Sequence, residues 1–419
     1  MNVSIKTLAT VLAACVLTLG AVSCNEDPVN KPDPTPTPKP KPNPDPDPAP
    51  VVAGDVINGE ITGVKDLKAG TIYTLDGTLY VKKGGTLNIG AGAIISATPK
   101  FDSYIIVERG GKINVNGTAE KPVIMTSTKK EPGAWGGLII AGNAQINEGS
   151  TQNVEVNPIL KYGQYPGTPE LKNDDNSGSI KYLILEYTGA NQNDEVEHNG
   201  LTLHGVGSGT TIENIFVYKS ADDGVEFFGG AVNVKNFLSV DNDDDMFDFT
   251  QGYIGTLSNA YGIWSANHKS GEEDPRGIEA DGNHDGNFKD APTQSNFKIE
   301  NLTIALNHAP STVVGEYPVD VIKVRRGASA TINNFYLTGI GSYGDVFDST
   351  DKKGDAVDNG VKVTYFINVT NESKQLNGKL NNGFGFSRTN DTSLKGTDQA
   401  LFAWTGYDFK TDTYTSKAK

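Results

Sequence analysis

Eight carboxylates fall between Asp222 and Asp248, and their spacing bears on what they can do. The run Asp222-Asp223-Gly224-Val225-Glu226-Phe227 returns 22 residues later as Asp244-Asp245-Met246-Phe247-Asp248-Phe249. A fixed period in the twenties marks a solenoid, in which residues one period apart become neighbours in space. The acids therefore form a column, and three uses of such a column compete. Asp at a turn can bond its own backbone two residues on. Stacked carboxylates can supply the six to eight oxygens that calcium takes. A carboxylate pair can also cleave a glycosidic bond, one as acid and one as base. That third use would draw on Asp222, Asp223, Asp244 and Asp245, with Arg325 as a basic partner.

A second stretch, Asp281-Gly282-Asn283-His284-Asp285-Gly286-Asn287, matches the first half of a calcium loop, with oxygens at positions 1, 3 and 5 and glycine at 6. Its second half departs from the pattern. Position 12 is Pro292, which leaves Asp290 as the substitute ligand. The candidate metal ligands are thus Asp222, Asp223, Glu226, Asp244, Asp245 and Asp248 in the column, and Asp281, Asn283, Asp285, Asn287 and Asp290 in the loop.

Other chemistries find little support. The histidines, His198, His204, His268, His284 and His308, lack the close spacing of a zinc site. No serine sits in a nucleophile elbow and no glycine-rich phosphate loop opens a helix. With 51 acids against 36 bases the net charge is −15, which argues against nucleic acid and favours cations, neutral glycans or cationic partners. Arg325 and Arg326 occupy the turn position that Lys82-Lys83 and Glu108-Arg109 fill elsewhere, so a turn role suits them best. Trp135, Trp264 and Trp404 read as packing residues rather than sugar platforms.

The elements that position these groups are short strands. Val81-Lys82-Lys83-Gly84-Gly85-Thr86-Leu87-Asn88-Ile89 recurs as Val107-Glu108-Arg109-Gly110-Gly111-Lys112-Ile113-Asn114-Val115, and loosely from Val324 to Ile332. Each copy is strand, tight turn, strand, a unit that closes no core by itself and must stack. The expected fold is all-β: one right-handed parallel β-helix over residues 55–360, with residues 361–419 as a final coil or cap. Ile180, Ile212, Val234, Ile299 and Ile332 should point inward. Asn214, Asn236, Asn301 and Asn334 should stack as a structural amide ladder. Projecting loops are expected at 172–178, 191–199, 269–292 and 351–358.

Residues 1–23 read as an export signal, with Lys6 followed by an apolar run from Leu8 to Val22, too short for a membrane span of about 20 residues. Cys15 lies within it, so the mature chain keeps Cys24 alone and forms no internal disulfide. Residues 24–54 are a linker in which proline falls at nearly every second position from Pro28 to Pro50. In polyproline II, at about 3.1 Å per residue, it would span on the order of 70 Å.

Ala21-Val22-Ser23-Cys24 resembles the lipobox of bacterial lipoproteins, which implies lipidation of Cys24. Asn25-Glu26-Asp27 resembles the export tag that sends Bacteroidota-type lipoproteins to the cell exterior. The phrases Ile180–Tyr187, Leu201–Ile212, Asp222–Gly230, Asp243–Phe249 and Arg276–Asp281 resemble a Bacteroidota family of secreted and lipid-anchored β-helix proteins, across residues 178–341. The resemblance implies a β-helix on the outer membrane and implies no activity. Polygalacturonases use the same fold, and their paired Asp and Arg-x-Lys motifs are echoed by Asp222-Asp223, Asp244-Asp245 and the reversed Lys323-Val324-Arg325. Fold analogy does not carry function. The expected role is a surface binding, adhesion or structural module, stabilised by calcium and contacting a glycan or surface protein. A polysaccharide lyase or hydrolase is the alternative. Asp348-Ser349-Thr350 resembles the short O-glycosylation signal of these bacteria, with Ser349 as acceptor.

Overall fold

The computed structural model describes residues 52–193, 196–370, 376, 379–380 and 386–418. The export signal, Cys24 and the proline linker lie outside the described residues.

The long strands Gly178–Glu186, Thr211–Tyr218, Asn233–Val240, Thr256–Trp264, Asn296–Leu306, Ser329–Gly339 and Val361–Val369 pair in parallel, one per coil. A second ladder, also parallel, joins Ile105–Val107, Leu138–Ala141, Leu201–His204, Val225–Phe228, Phe247–Thr250, Arg276–Ala280, Asp320–Lys323 and Asp345–Asp348. Together these ladders wind into a parallel β-helix. Side chains alternate across each strand, so every coil sends one set inward. Ile180, Ile212, Val234, Leu257, Ile299, Ile332 and Val363 stack in register and are at most 2% exposed. Under the second ladder, Phe227, Phe249 and Phe297 stack with centroids 4.9 and 4.1 Å apart. This aromatic column fixes the height of the coils that carry the acids.

Six of the seven long strands turn a corner at a residue in the left-handed region, and in five that residue is asparagine: Asn214, Asn236, Asn259, Asn301 and Asn334, at φ between 57° and 61°. Asparagine tolerates this region because its short amide bonds locally. Here the amides bond one another, each Nδ2 donating to the Oδ1 of the preceding coil at 2.7–2.8 Å. The expected amide ladder is present, with Asn259 as the member the repeat pattern did not reveal. The tight turns behave alike: Gly84, Gly110 and Gly327 all sit at φ 82°.

Two features differ from the expected layout. The largest excursion runs over residues 142–177, well before the expected start at 172. It carries a hairpin of Asn153–Val154 and Asn157–Lys161. Ile146, Val154 and Tyr162 from this excursion pack on Tyr104, Ile106, Ile139 and Phe228, outward residues of the second ladder. The tail also does more than extend the last coil. Phe386–Asn390 continues the ladder, but Phe402, Trp404 and Tyr407 return along the flank to cover Ile184, Phe216, Leu238, Val240, Tyr261 and Ile263. The physical reason is visible in runs such as Ile215-Phe216-Val217, which are apolar on both faces and need cover on both.

Candidate cation and ligand site

The acids sit where each coil enters the second ladder. Val225 and Phe227 point into the core, so Glu226 must point out, and the 22-residue repeat places Asp248 beside it in register. Glu279 follows in the next coil, and Asp281 pairs through its backbone with Arg325.

Five of these acids converge. Asp222, Asp223 and Asp244 offer oxygens all within 4.8 Å of one another, and so do Asp223, Glu226 and Asp248. Asp245 is 3% exposed and Asp223 5%. Some oxygens are satisfied: Asp223 Oδ1 accepts from the Asp245 amide at 2.9 Å, and Glu226 Oε2 from Asn199 Nδ2 at 2.7 Å. Others are not. One Oδ1 each of Asp244, Asp245 and Asp248 is buried with no hydrogen-bond partner among the described residues. Burial and mutual repulsion hold the group far from ordinary carboxylate behaviour. Burial, then Asp244, pushes Asp222 well up; burial, then Asp222, does the same to Asp223, and burial, then Asp248, to Glu226. Burial raises Asp244 to about 7 and Asp248 to about 6.

The neighbouring coils are built differently. Arg276 bonds Asp274 at 2.7 Å and pairs with Glu279 and Asp320. Arg325 pairs with Glu279 and, at 2.7 Å, with Asp281; Arg326 holds Asp281 at 2.6 Å and Asp351 at 3.2 Å. Lys323 pairs with Asp348. The column therefore has a compensated half, from Glu279 onward, and a half whose charges meet no ion pair among the described residues.

This division separates the two expected calcium sites. In the 281–290 loop, Asp281 is clasped by two guanidiniums and Asp285 by Lys353. Asn283 turns its amide to Gln294 and the Arg326 carbonyl, and its oxygen to the Phe288 amide. Asn287 donates to Asp285, while Asp290 lines a different hollow with Phe288 and Lys289. The side-chain oxygens of Asp281, Asn283 and Asp285 already have protein partners. Sequence could not show this, because Arg325 and Arg326 arrive from 44 or more residues away.

Beside the uncompensated half opens a cleft of about 460 Å³, with the 153–161 hairpin on one side and Glu226, Asp248, Glu279 and Arg325 among its lining. The hairpin contributes Glu155, an exposed residue at the cleft's rim, and the excursion contributes Tyr162, whose hydroxyl donates to Gln251 Oε1 at 2.8 Å. Neither residue carries a motif that sequence reading could use. Trp135 and Trp264 are fully buried and Trp404 nearly so, in keeping with packing. His198, His204 and His308 are buried, the His268 side chain is 6% exposed, and desolvation holds each below its usual pKa. Ser349 is 0% exposed, so the folded chain does not present it for glycosylation.

No curated protein and no solved structure gave a significant match to the chain. The family model described as pectate-lyase like beta helix domain matches residues 59–408, a span that includes both ladders, the acidic column and the cleft. The chain belongs to the pectate-lyase-like β-helix family.

Proposed function

We propose that the protein is a lipid-anchored module on the outer face of an outer membrane, which binds calcium through Asp222, Asp223, Glu226, Asp244, Asp245 and Asp248 and contacts a glycan or surface protein through the adjoining cleft. One observation carries this reading: five converging carboxylates, buried or half-buried, make no ion pair among the described residues, while the next coils of the same column are neutralised by Arg276, Lys323, Arg325 and Arg326. Buried charge needs a partner, and hard oxygen ligands favour calcium. Anchoring through Cys24 rests on the lipobox resemblance.

A second reading is polysaccharide cleavage, favoured by Arg325 lying in the same cleft as Glu226, Asp248 and Glu279. A thermal melt of the mature chain in calcium and in chelator, paired with a depolymerisation assay on neutral and acidic glycans, separates the readings. The module predicts a rise in melting temperature of several degrees with calcium and no product. An unchanged melt would return the acids to turn capping. Product formation abolished by Arg325→Lys, with the calcium-dependent melt retained, would establish the enzyme.

A further inference from the structure

Among the described residues, Lys323 alone of the lysines makes ion pairs buried at both ends. Its side chain is 8% exposed, against 0% for Asp348 and 2% for Asp320. The register sets Lys323 opposite Asp348 on the adjacent parallel strands Asp320–Lys323 and Asp345–Asp348, with Nζ in contact with Asp348 Oδ2. Asp320 Oδ2 lies 3.8 Å from the same Nζ. The other oxygen of Asp348 faces different donors: Oδ1 accepts from the Thr350 amide at 2.8 Å and from the Thr350 hydroxyl at 2.9 Å. Lys379 Nζ bridges the two acids, 3.3 Å from Asp348 Oδ2 and 3.5 Å from Asp320 Oδ1. A hollow of about 560 Å³ opens beside Lys323 and Thr350. A nucleophile, an acyl group, an oxyanion clasp and a proton carrier thus share one buried place.

We propose that Lys323 and Asp348 close an intramolecular isopeptide bond, with Asp320 as the proton carrier, so that two successive coils of the β-helix are stapled covalently. The step is a condensation. One proton passes from the Lys323 ammonium through Asp320 to Asp348 Oδ2, which leaves a free amine against a carboxylic acid. Nζ attacks Cγ, the C–N bond forms, and the C=O electron pair moves to Oδ1, where the Thr350 amide and hydroxyl already point. A second proton follows from nitrogen to Oδ2, the C–Oδ2 bond breaks, and water departs into the hollow. Two protons leave Nζ and two arrive on Oδ2, so the balance needs no oxidant or reductant. Asp320 suits the carrier's role because burial holds its carboxyl above the usual range, so it takes a proton readily. Proximity supplies the rest, since two groups fixed in contact react as if at very high concentration. The product also removes a buried charge pair, which is costly to keep. By contrast, Lys100–Asp76 and Lys353–Asp285 pair in the open, at 42–48% exposure. The bond is independent of the calcium and glycan readings above.

The test is mass spectrometry of the full chain after denaturation and digestion with trypsin. The expected digest joins residues 299–325 to residues 327–352 as one branched peptide, uncut after Lys323 and lighter by one water than its two halves. Lys323→Arg keeps the positive charge and the ion pair, and should release the two halves separately. Asp320→Asn should slow closure by about a hundredfold, read as unjoined peptides from freshly expressed protein. Joining at the wild-type extent in that variant would overturn the carrier's role. Separate peptides from the wild-type chain, cut after Lys323, would overturn the bond and leave a buried ion pair. The wild-type digest decides this even where a variant fails to fold.

Discussion

At the scale of single residues, the acidic column makes stability depend on pH in an unusual direction. Most folded proteins depress their carboxylates and lose stability in acid. Here burial raises Asp244 to about 7 and Asp248 to about 6, so between roughly pH 4 and 7 the folded chain binds more protons than the unfolded one. The contribution of these groups is then present at low pH and is lost as pH rises through the folded values. In chelator, the melting temperature should fall from pH 5 to pH 8; in calcium, the fall should shrink or vanish. Asp244→Asn removes one repelling charge and should stabilise the calcium-free chain at pH 8 by about 1–3 kcal/mol. Melting curves across pH, with and without chelator, check both statements. A calcium-free chain that gains stability from pH 5 to 8 would contradict them. Asp281 follows the same direction, because burial lifts it to about 7 even though Arg326 beside it acts the other way.

At the scale of elements, the corner of each coil matters most. Asn236 holds the left-handed conformation, donates to Asn214 and accepts from Asn259. Asn236→Ala removes both bonds and places alanine at φ 57°, where an L side chain is strained. The combined cost should be about 2–4 kcal/mol. Asn236→Gly keeps the conformation and loses only the bonds, so its cost should be about half as large. Chemical denaturation of the two variants separates the contributions; equal losses would mean the backbone conformation is not strained by alanine. The hairpin at 153–161 is held by Val154 and Tyr162 against the outer face of the second ladder, which is how Glu155 is delivered to a cleft whose other acids come from the coils.

At the scale of the whole molecule, the stacking of coils turns a short acidic phrase into a surface. One copy of Asp-Asp-x-x-acid is a turn; two copies in register are a polyvalent anion, and a third coil that supplies Arg276 closes the anion off. The cation site thus has defined ends. The same stacking leaves one flank apolar, and the returning tail covers it, with Tyr414 and Ser416 both donating to the buried Glu186 at 2.7 and 2.9 Å. Attachment belongs to this scale too. Cys24→Ser should shift the protein from the membrane fraction to the soluble fraction of fractionated cells, with its melting behaviour unchanged. Membrane retention of that variant would sink the lipid anchor.

Sequence alone determined the repeat, and with it the β-helix, the inward aliphatics and the amide ladder, because these follow from side-chain alternation and from spacing between neighbouring coils. It also located the acidic column, since Asp222 and Asp244 are one period apart. Only the tertiary structure decided which acids are compensated. Arg276, Arg325 and Arg326 reach their partners across coils and loops of unequal length, and no period links them. For the same reason the calcium-like phrase at Asp281 is incomplete as sequence: local spacing picks out its oxygens, while Arg325 and Arg326 reach Asp281 from distant coils. The cleft was equally out of reach, because its second wall is an excursion that obeys no repeat.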